Sequence, residues 1–161
     1  MASSLILGIG NTLLCDEGAG VLVIEFLARH HPNEPGVEYL DGGTLSFTLA
    51  ASLAAHPWLI VVDAANLKAA PGSIRVFEGP EMDAYLTGSR SSVHEVSLGD
   101  LLDIARLSDS LPRRRALIGI QPERIDWDKS PTPAVAAAIE PAALEVLRLH
   151  REWQADAEGG A

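Results

Sequence analysis

The sequence predicts an α/β protein: a three-layer α/β/α sandwich around a mostly parallel, twisted central sheet, with a candidate antiparallel strand at one edge. Three observations predict it. Short, almost uninterrupted apolar runs recur along the chain, as expected of strands covered on both faces. Segments with a helical repeat stand between those runs, and strands joined through helices need parallel, right-handed crossovers. Glycines and acids gather where the runs end, which is where open α/β sheets bind ligands.

The first run, "SLILGI" (residues 4–9), reads as a buried strand. From Gly18 the pattern changes, and Gly20, Ile24, Leu27 and His31 recur on one helical face, with Glu25 and Arg29 away from it. "GVEYLD" (36–41) is the second strand, followed by "GGT" and an alanine-rich helix from about residue 46 to 55. "WLIVVD" (58–63) is the clearest strand, β-branched and ending in an acid. "GSIRVFEG" (72–79) follows a Pro-Gly turn and alternates, as an edge strand does. "SLGDLLDIA" (97–105) has helical spacing, and "ALIGIQP" (116–122) is a last buried strand stopped by proline. A long helix is expected from Thr132 to about Gln154, with Val135, Ile139, Ala142, Val146, Leu149 and Trp153 on its inner face. Pro141 inside it lacks an amide donor and should kink or split it.

A chain of 161 residues is expected to form one domain, over 1–154, with the small polar tail "ADAEGGA" (155–161) frayed. The formal charge of −10 argues against non-specific binding to nucleic acid and against docking on anionic membranes. No run approaches the ~18 uncharged apolar residues of a membrane span. The N-terminus has no basic residue ahead of its short apolar stretch, unlike a secretory signal. The single cysteine excludes a disulfide within the chain. A reduced, cytoplasmic setting and a monomeric chain are the expectation.

The chemistry is expected in the loops after the strands. Asp16 and Glu17 follow the first strand, Asp41 ends the second and Asp63 ends the third. Gathered along one sheet edge, such carboxylates repel one another, and a cation relieves the repulsion. Each acid can instead cap a helix N-terminus. Asp16 suits that role, because a helix follows it, whereas "AANLKAAPG" after Asp63 shows no helix start. Among the histidines, His30, His31, His56 and His150 have plain structural readings at helix ends and a turn. His94, in "SSVHEVSLGDLL", stands just before or within the first turn of a helix, which favours the neutral ring that binds metals. Glu17, Asp63 and His94 are thus a candidate three-ligand metal site with open positions.

Other signatures are missing. "HEVSL" lacks the second histidine of a zincin, no nucleophile elbow or P-loop occurs, and "GIGNTL" has leucine in place of the third glycine of a dinucleotide fingerprint. Cys15, beside two acids in an apolar stretch, reads as a packing residue. "RRR" (113–115) reads as a solvated edge.

Taken in order, "GIGNTLLCDEGAGV", "DGGTL", "LIVVDAA", "SVHEVSL", "IGIQP" and "TPAVAAAIEPAAL" resemble the maturation endopeptidases of nickel–iron hydrogenases over nearly the whole chain. The resemblance implies an α/β/α fold and an endopeptidase that trims the C-terminal extension of the hydrogenase large-subunit precursor after nickel insertion. It implies metal ligation by Glu17, Asp63 and His94, the residues already isolated above. The metal is expected to be nickel carried in by the substrate, with zinc or cadmium as surrogates, and no independent catalytic nucleophile is expected. Asp16 and Asp41 then become supporting or substrate-positioning groups. Where the family often has glycine two residues after the histidine's neighbour, this chain has Ser97, whose extra side chain is expected to narrow the loop. Two other readings stand beside this one: a nickel-sensing module that holds the precursor without cutting it, and a nucleotide-binding protein based on "GIGN".

Overall fold

The structure, a computed structural model, describes residues 3–43, 46–88 and 97–159. Five strands form one sheet: β1 (Ser4–Ile9), β2 (Val37–Gly43), β3 (Trp58–Ala64), β4 (Ile74–Glu78) and β5 (Arg114–Ile120). Their order is β2-β1-β3-β5-β4. All neighbours are parallel except β4, which runs antiparallel to β5 at the edge, where the alternating "GSIRVFEG" segment places it.

Among the described residues, six α-helices flank the sheet. α1 (Ala19–His30), α5 (Pro133–Ala136) and α6 (Ile139–Gly159) lie on one face; α2 (Leu49–Ala54), α3 (Pro80–Gly88) and α4 (Leu98–Leu107) lie on the other. The period-two alternation of the strands divides the core accordingly. Ile6, Ile60, Val62 and Ile118 pack with Leu27, Val146 and Trp153, whereas Leu7, Leu59, Val61 and Leu117 pack with Leu53, Met82 and Leu101. Every residue of β1 is buried, as its apolar run predicts.

The long C-terminal helix is split, and Pro141 falls in the first turn of its second part. There its missing N–H breaks no established ladder, and the chain turns at residues 137–138 instead. α6 continues through Gly159, past the expected boundary at 154, and Asp156 on it pairs with Arg114 at 3.2 Å.

α1 reaches the sheet through glycine. A methyl group on Gly20 would stand 2.1 Å from the Val62 carbonyl oxygen and 2.5 Å from that of Ile9. Helix backbone therefore lies directly on the ends of β1 and β3. Alanine normally stabilises a helix interior relative to glycine. Gly20→Ala is nevertheless expected to cost about 2 kcal/mol through overpacking, with a fall in Tm of about 6 °C in a thermal melt.

Two expectations are corrected here. His150, read as a polar helix-end residue, is fully buried. Its Nδ1 lies 2.7 Å from Ser4 Oγ and its Nε2 lies 2.8 Å from the Pro35 carbonyl oxygen. A carbonyl only accepts, so Nε2 carries the proton and the Ser4 hydroxyl donates to Nδ1. Burial lowers the imidazole pKa. The unfolded chain then binds the proton more readily, so stability is full above the ordinary histidine range near ~6.5 and is lost as pH falls below it. His150→Gln should flatten the stability profile between about pH 5 and 7, measured by urea unfolding. Second, the arginine run is no mere solvated edge. Arg115 donates to both carboxylate oxygens of Asp83, at 2.9 and 2.6 Å, and ties α3 to the start of β5.

Candidate active site

The strand order fixes where a site can form. From β1 the chain crosses to β2 on one side and returns to β3 on the other, so the topological switch point lies between β1 and β3. In open parallel sheets the crevice beyond the strand ends at that point is the ligand site. Glu17 lies in a 3-10 turn (Cys15–Gly18) just past β1, and Asp63 lies on β3 at its carboxyl end. Two of the predicted ligands are thereby brought to one crevice.

The turn is set by close backbone contacts. Gly10 has φ +138°, and a side chain there would stand 1.9 Å from the Glu17 carbonyl oxygen. Only glycine lets the turn fold back on the end of β1 in this way. With Gly20 seated against Val62, the turn is carried over the end of β3.

The electrostatics follow from that closeness. Burial pushes the Asp63 carboxyl up to about 8. The Ala64 amide offsets part of the rise and the Glu17 charge adds to it. No helix follows Asp63, so it caps nothing. A half-buried carboxyl held beside a second acid is unfavourable by itself and becomes favourable once a cation is shared.

Asp16 behaves differently from its neighbour. It forms no side-chain cap on the turn or on α1, contrary to the capping expectation. It is fully buried, and its carboxylate accepts from Glu123 N (2.8 Å), Arg124 N (3.0 Å), Thr132 N (2.7 Å) and Thr132 Oγ1 (2.8 Å). Burial raises its pKa, but those bonds outweigh it and hold the carboxyl below its ordinary value. Asp16 thus clamps the 123–132 loop to the turn that carries Glu17. Backbone bonds from Cys15 N to Asp128 O (2.8 Å) and from Asp128 N to Leu13 O (3.1 Å) continue the seam. Cys15 is buried at φ +52°, and burial and then Asp16 raise its thiol pKa, in keeping with a packing role.

Asp41 is exposed, and its Oδ1 accepts from Gly43 N at 2.8 Å. It lines a cleft of about 320 Å³ with Gly10, Asn11, Thr12, Leu13, Val21 and Gly43. The four acids therefore share the rim without forming one cluster: Glu17 and Asp63 are coupled, Asp16 is turned inward and Asp41 faces the cleft. His94 lies outside the described residues. Among the described residues, no group of three or more potential metal-ligating side chains occurs. The histidine loop that Ser97 is expected to narrow lies outside the described residues, whereas Ser97 itself lies within them. It caps α4, accepting from Asp100 N at 3.1 Å and donating its own N–H to Asp100 Oδ2 at 3.0 Å.

An open α/β/α sandwich with paired acids at its switch point defines a rim-site α/β protein. The chain belongs to the hydrogenase maturation protease family, whose sequence profile matches residues 21–149. It is 38% identical over 149 residues to the hydrogenase 2 maturation protease of Escherichia coli strain K12, covering 92% of this chain and 90% of that one. Its structure superposes on the hydrogenase maturating endopeptidase HybD from E. coli with TM-score 0.86 at 37% identity, over 93% of each chain. It also matches the [NiFe] hydrogenase maturation protease HybD from Thermococcus kodakarensis, with TM-score 0.74 at 28% identity, over 92% of this chain and 99% of that one. The resemblance read from the motifs and the predicted fold class are both borne out. The chain is a protease by family, and no helix among the described residues is long and apolar enough to cross a membrane.

Proposed function

We propose that this chain removes a C-terminal extension from the large-subunit precursor of a nickel–iron hydrogenase after nickel insertion. In this reading Glu17, Asp63 and His94 hold the nickel that arrives with the precursor. The observation that carries it is the coupling of Glu17 to a half-buried Asp63 at the switch point. Oxygen and imidazole donors suit nickel, and zinc or cadmium serve as surrogates for the isolated protein. A bound divalent ion supplies Lewis acidity that polarises a carbonyl.

The protein's own residues do the rest. Glu17 supplies negative charge at the rim, and Asp63, held largely protonated by burial, gives up its proton when a cation binds beside it. The Asp16 clamp keeps the 123–132 loop against the Glu17 turn, so the rim keeps its shape as the peptide enters. Asp41, exposed on the cleft, orients the peptide. The chain acts as a monomer in the cytoplasm, where its one thiol stays reduced.

The test is to incubate nickel-loaded and nickel-free precursor with the protein and read the precursor mass. A mass loss confined to the loaded form is expected. An unchanged mass beside a stable complex would replace the protease with the non-cleaving sensor.

A further inference from the structure

We propose that the exposed apolar patch of Leu13, Ile125 and Trp127 docks an apolar segment of the hydrogenase precursor, neutral or basic in charge, alongside the cleft that Asp41 lines. The proposal rests on the reading that the precursor is cut at this rim, and it adds a recognition surface outside the metal site.

Every residue from 123 to 130 is exposed, so this loop contributes no side chain to the core. It is nevertheless pinned at three points. The buried Asp16 carboxylate takes the Glu123 and Arg124 amides at its start and Thr132 just past its end. Between them, Asp128 forms a parallel bridge with Leu14, and Asp128 N donates to Leu13 O at 3.1 Å. A buried carboxylate is costly to desolvate. Here its bonds fix the course of a surface loop.

That seam carries large apolar groups outward. Trp127 is 74% exposed, Ile125 58% and Leu13 47%. One position back from the bridge, Leu13 and Trp127 stand side by side along the paired backbones. A single exposed apolar residue such as Leu107 is ordinary. Three on one clamped seam form a patch, and such patches mark interaction sites. A tryptophan on an already ordered loop loses little freedom on binding and supplies much of the energy of an interface.

Two observations name the occupant. Leu13 belongs both to the patch and to the wall of the cleft of about 320 Å³, so a chain lying on Trp127 runs on into that cleft. The second is charge. Glu123, Asp126 and Asp128 outnumber Arg124 and Lys129 on the loop, Asp41 adds an acid at the cleft, and the whole chain carries −10. Arg124 is itself engaged by Asp126 at 3.8 Å. An acidic segment is repelled from this face, as is a second copy of this chain, whereas a neutral or basic apolar segment is accepted.

Trp127→Ala removes the largest group of the patch without opening the core, so Tm should stay within about 2 °C of wild type. The experiment measures steady-state cleavage of nickel-loaded precursor by wild type, Trp127→Ala, Trp127→Phe and Leu107→Ala. Leu107 ends α4 ahead of the start of β5, toward the opposite edge of the sheet, and serves as the control. Trp127→Ala should raise KM by at least about tenfold with kcat nearly unchanged. Trp127→Phe, which keeps an aromatic ring, should recover most of that loss, and Leu107→Ala should stay within about twofold of wild type. An unchanged KM for Trp127→Ala, or an equal rise for Leu107→Ala, overturns the docking surface and leaves the cleavage reading intact. A wild-type dimer in sedimentation that Trp127→Ala converts to monomer also overturns it, by assigning the patch to a second copy. If wild type binds the loaded precursor without cutting it, the cleavage reading fails, and docking then stands or falls on the same change read as Kd. A wild type that neither binds nor cuts overturns both.

Discussion

Asp63→Asn is expected to abolish metal-dependent cleavage while making the metal-free protein more stable. Asparagine occupies nearly the same volume but carries no charge. Removing an outer-shell partner of a metal site commonly costs 10–100-fold in affinity, so loss of a direct ligand should weaken cadmium binding by at least about 100-fold in calorimetry. The stability change has the opposite sign. Asp63 sits in the fold with its carboxyl pushed up to about 8, by burial first and by the Glu17 charge as well. A raised carboxyl pKa means that its stability contribution is full below the ordinary carboxylate range and is lost as pH rises through about 8. The variant removes that loss. A gain of about 1 kcal/mol would raise Tm by about 2–4 °C, with the gain larger at pH 8 than at pH 5. A variant that binds cadmium as wild type does would remove Asp63 from the site.

Asp16→Ala should be the most destabilising single change at the rim. It leaves three backbone amides and a hydroxyl without their acceptor, at Glu123, Arg124 and Thr132. Stranded buried donors and a lost charged partner together cost about 3–5 kcal/mol. Tm should fall by roughly 10 °C, and amide exchange should accelerate across residues 123–132 ahead of the sheet. Because the Asp16 carboxyl is held below its ordinary value, its contribution is present above about pH 4 and is lost as pH falls through the folded-state value. The variant should therefore lose part of the wild type's acid sensitivity. Unchanged melting would show that the 123–132 loop is held by other contacts.

The strands were legible in the sequence because burial on both faces leaves a signal in every residue of a run, as in β1 and β3. α1 and the C-terminal helix were legible from their apolar period. α3 was not, because "PEMDAYLTG" buries only Met82 and so carries almost no stripe. Glu17 and Asp63 could be paired in advance because strand ends in a parallel sheet share one edge. The role of Asp16 could not, since its partners lie 107 to 116 positions away and three of the four are backbone amides, to which side-chain patterns are blind. His150 was hidden for a related reason: its acceptor is the carbonyl of Pro35.

The seat of α1 on the strand ends has an evolutionary consequence. A methyl group on Gly8 would meet the Gly20 carbonyl oxygen at 2.5 Å, and one on Gly20 would meet main-chain oxygens of Ile9 and Val62. Main chain cannot shrink to make room, so no second substitution nearby can rescue either change. Selection for stability should therefore disfavour side chains at these two positions more strongly than changes on the outer helix surfaces.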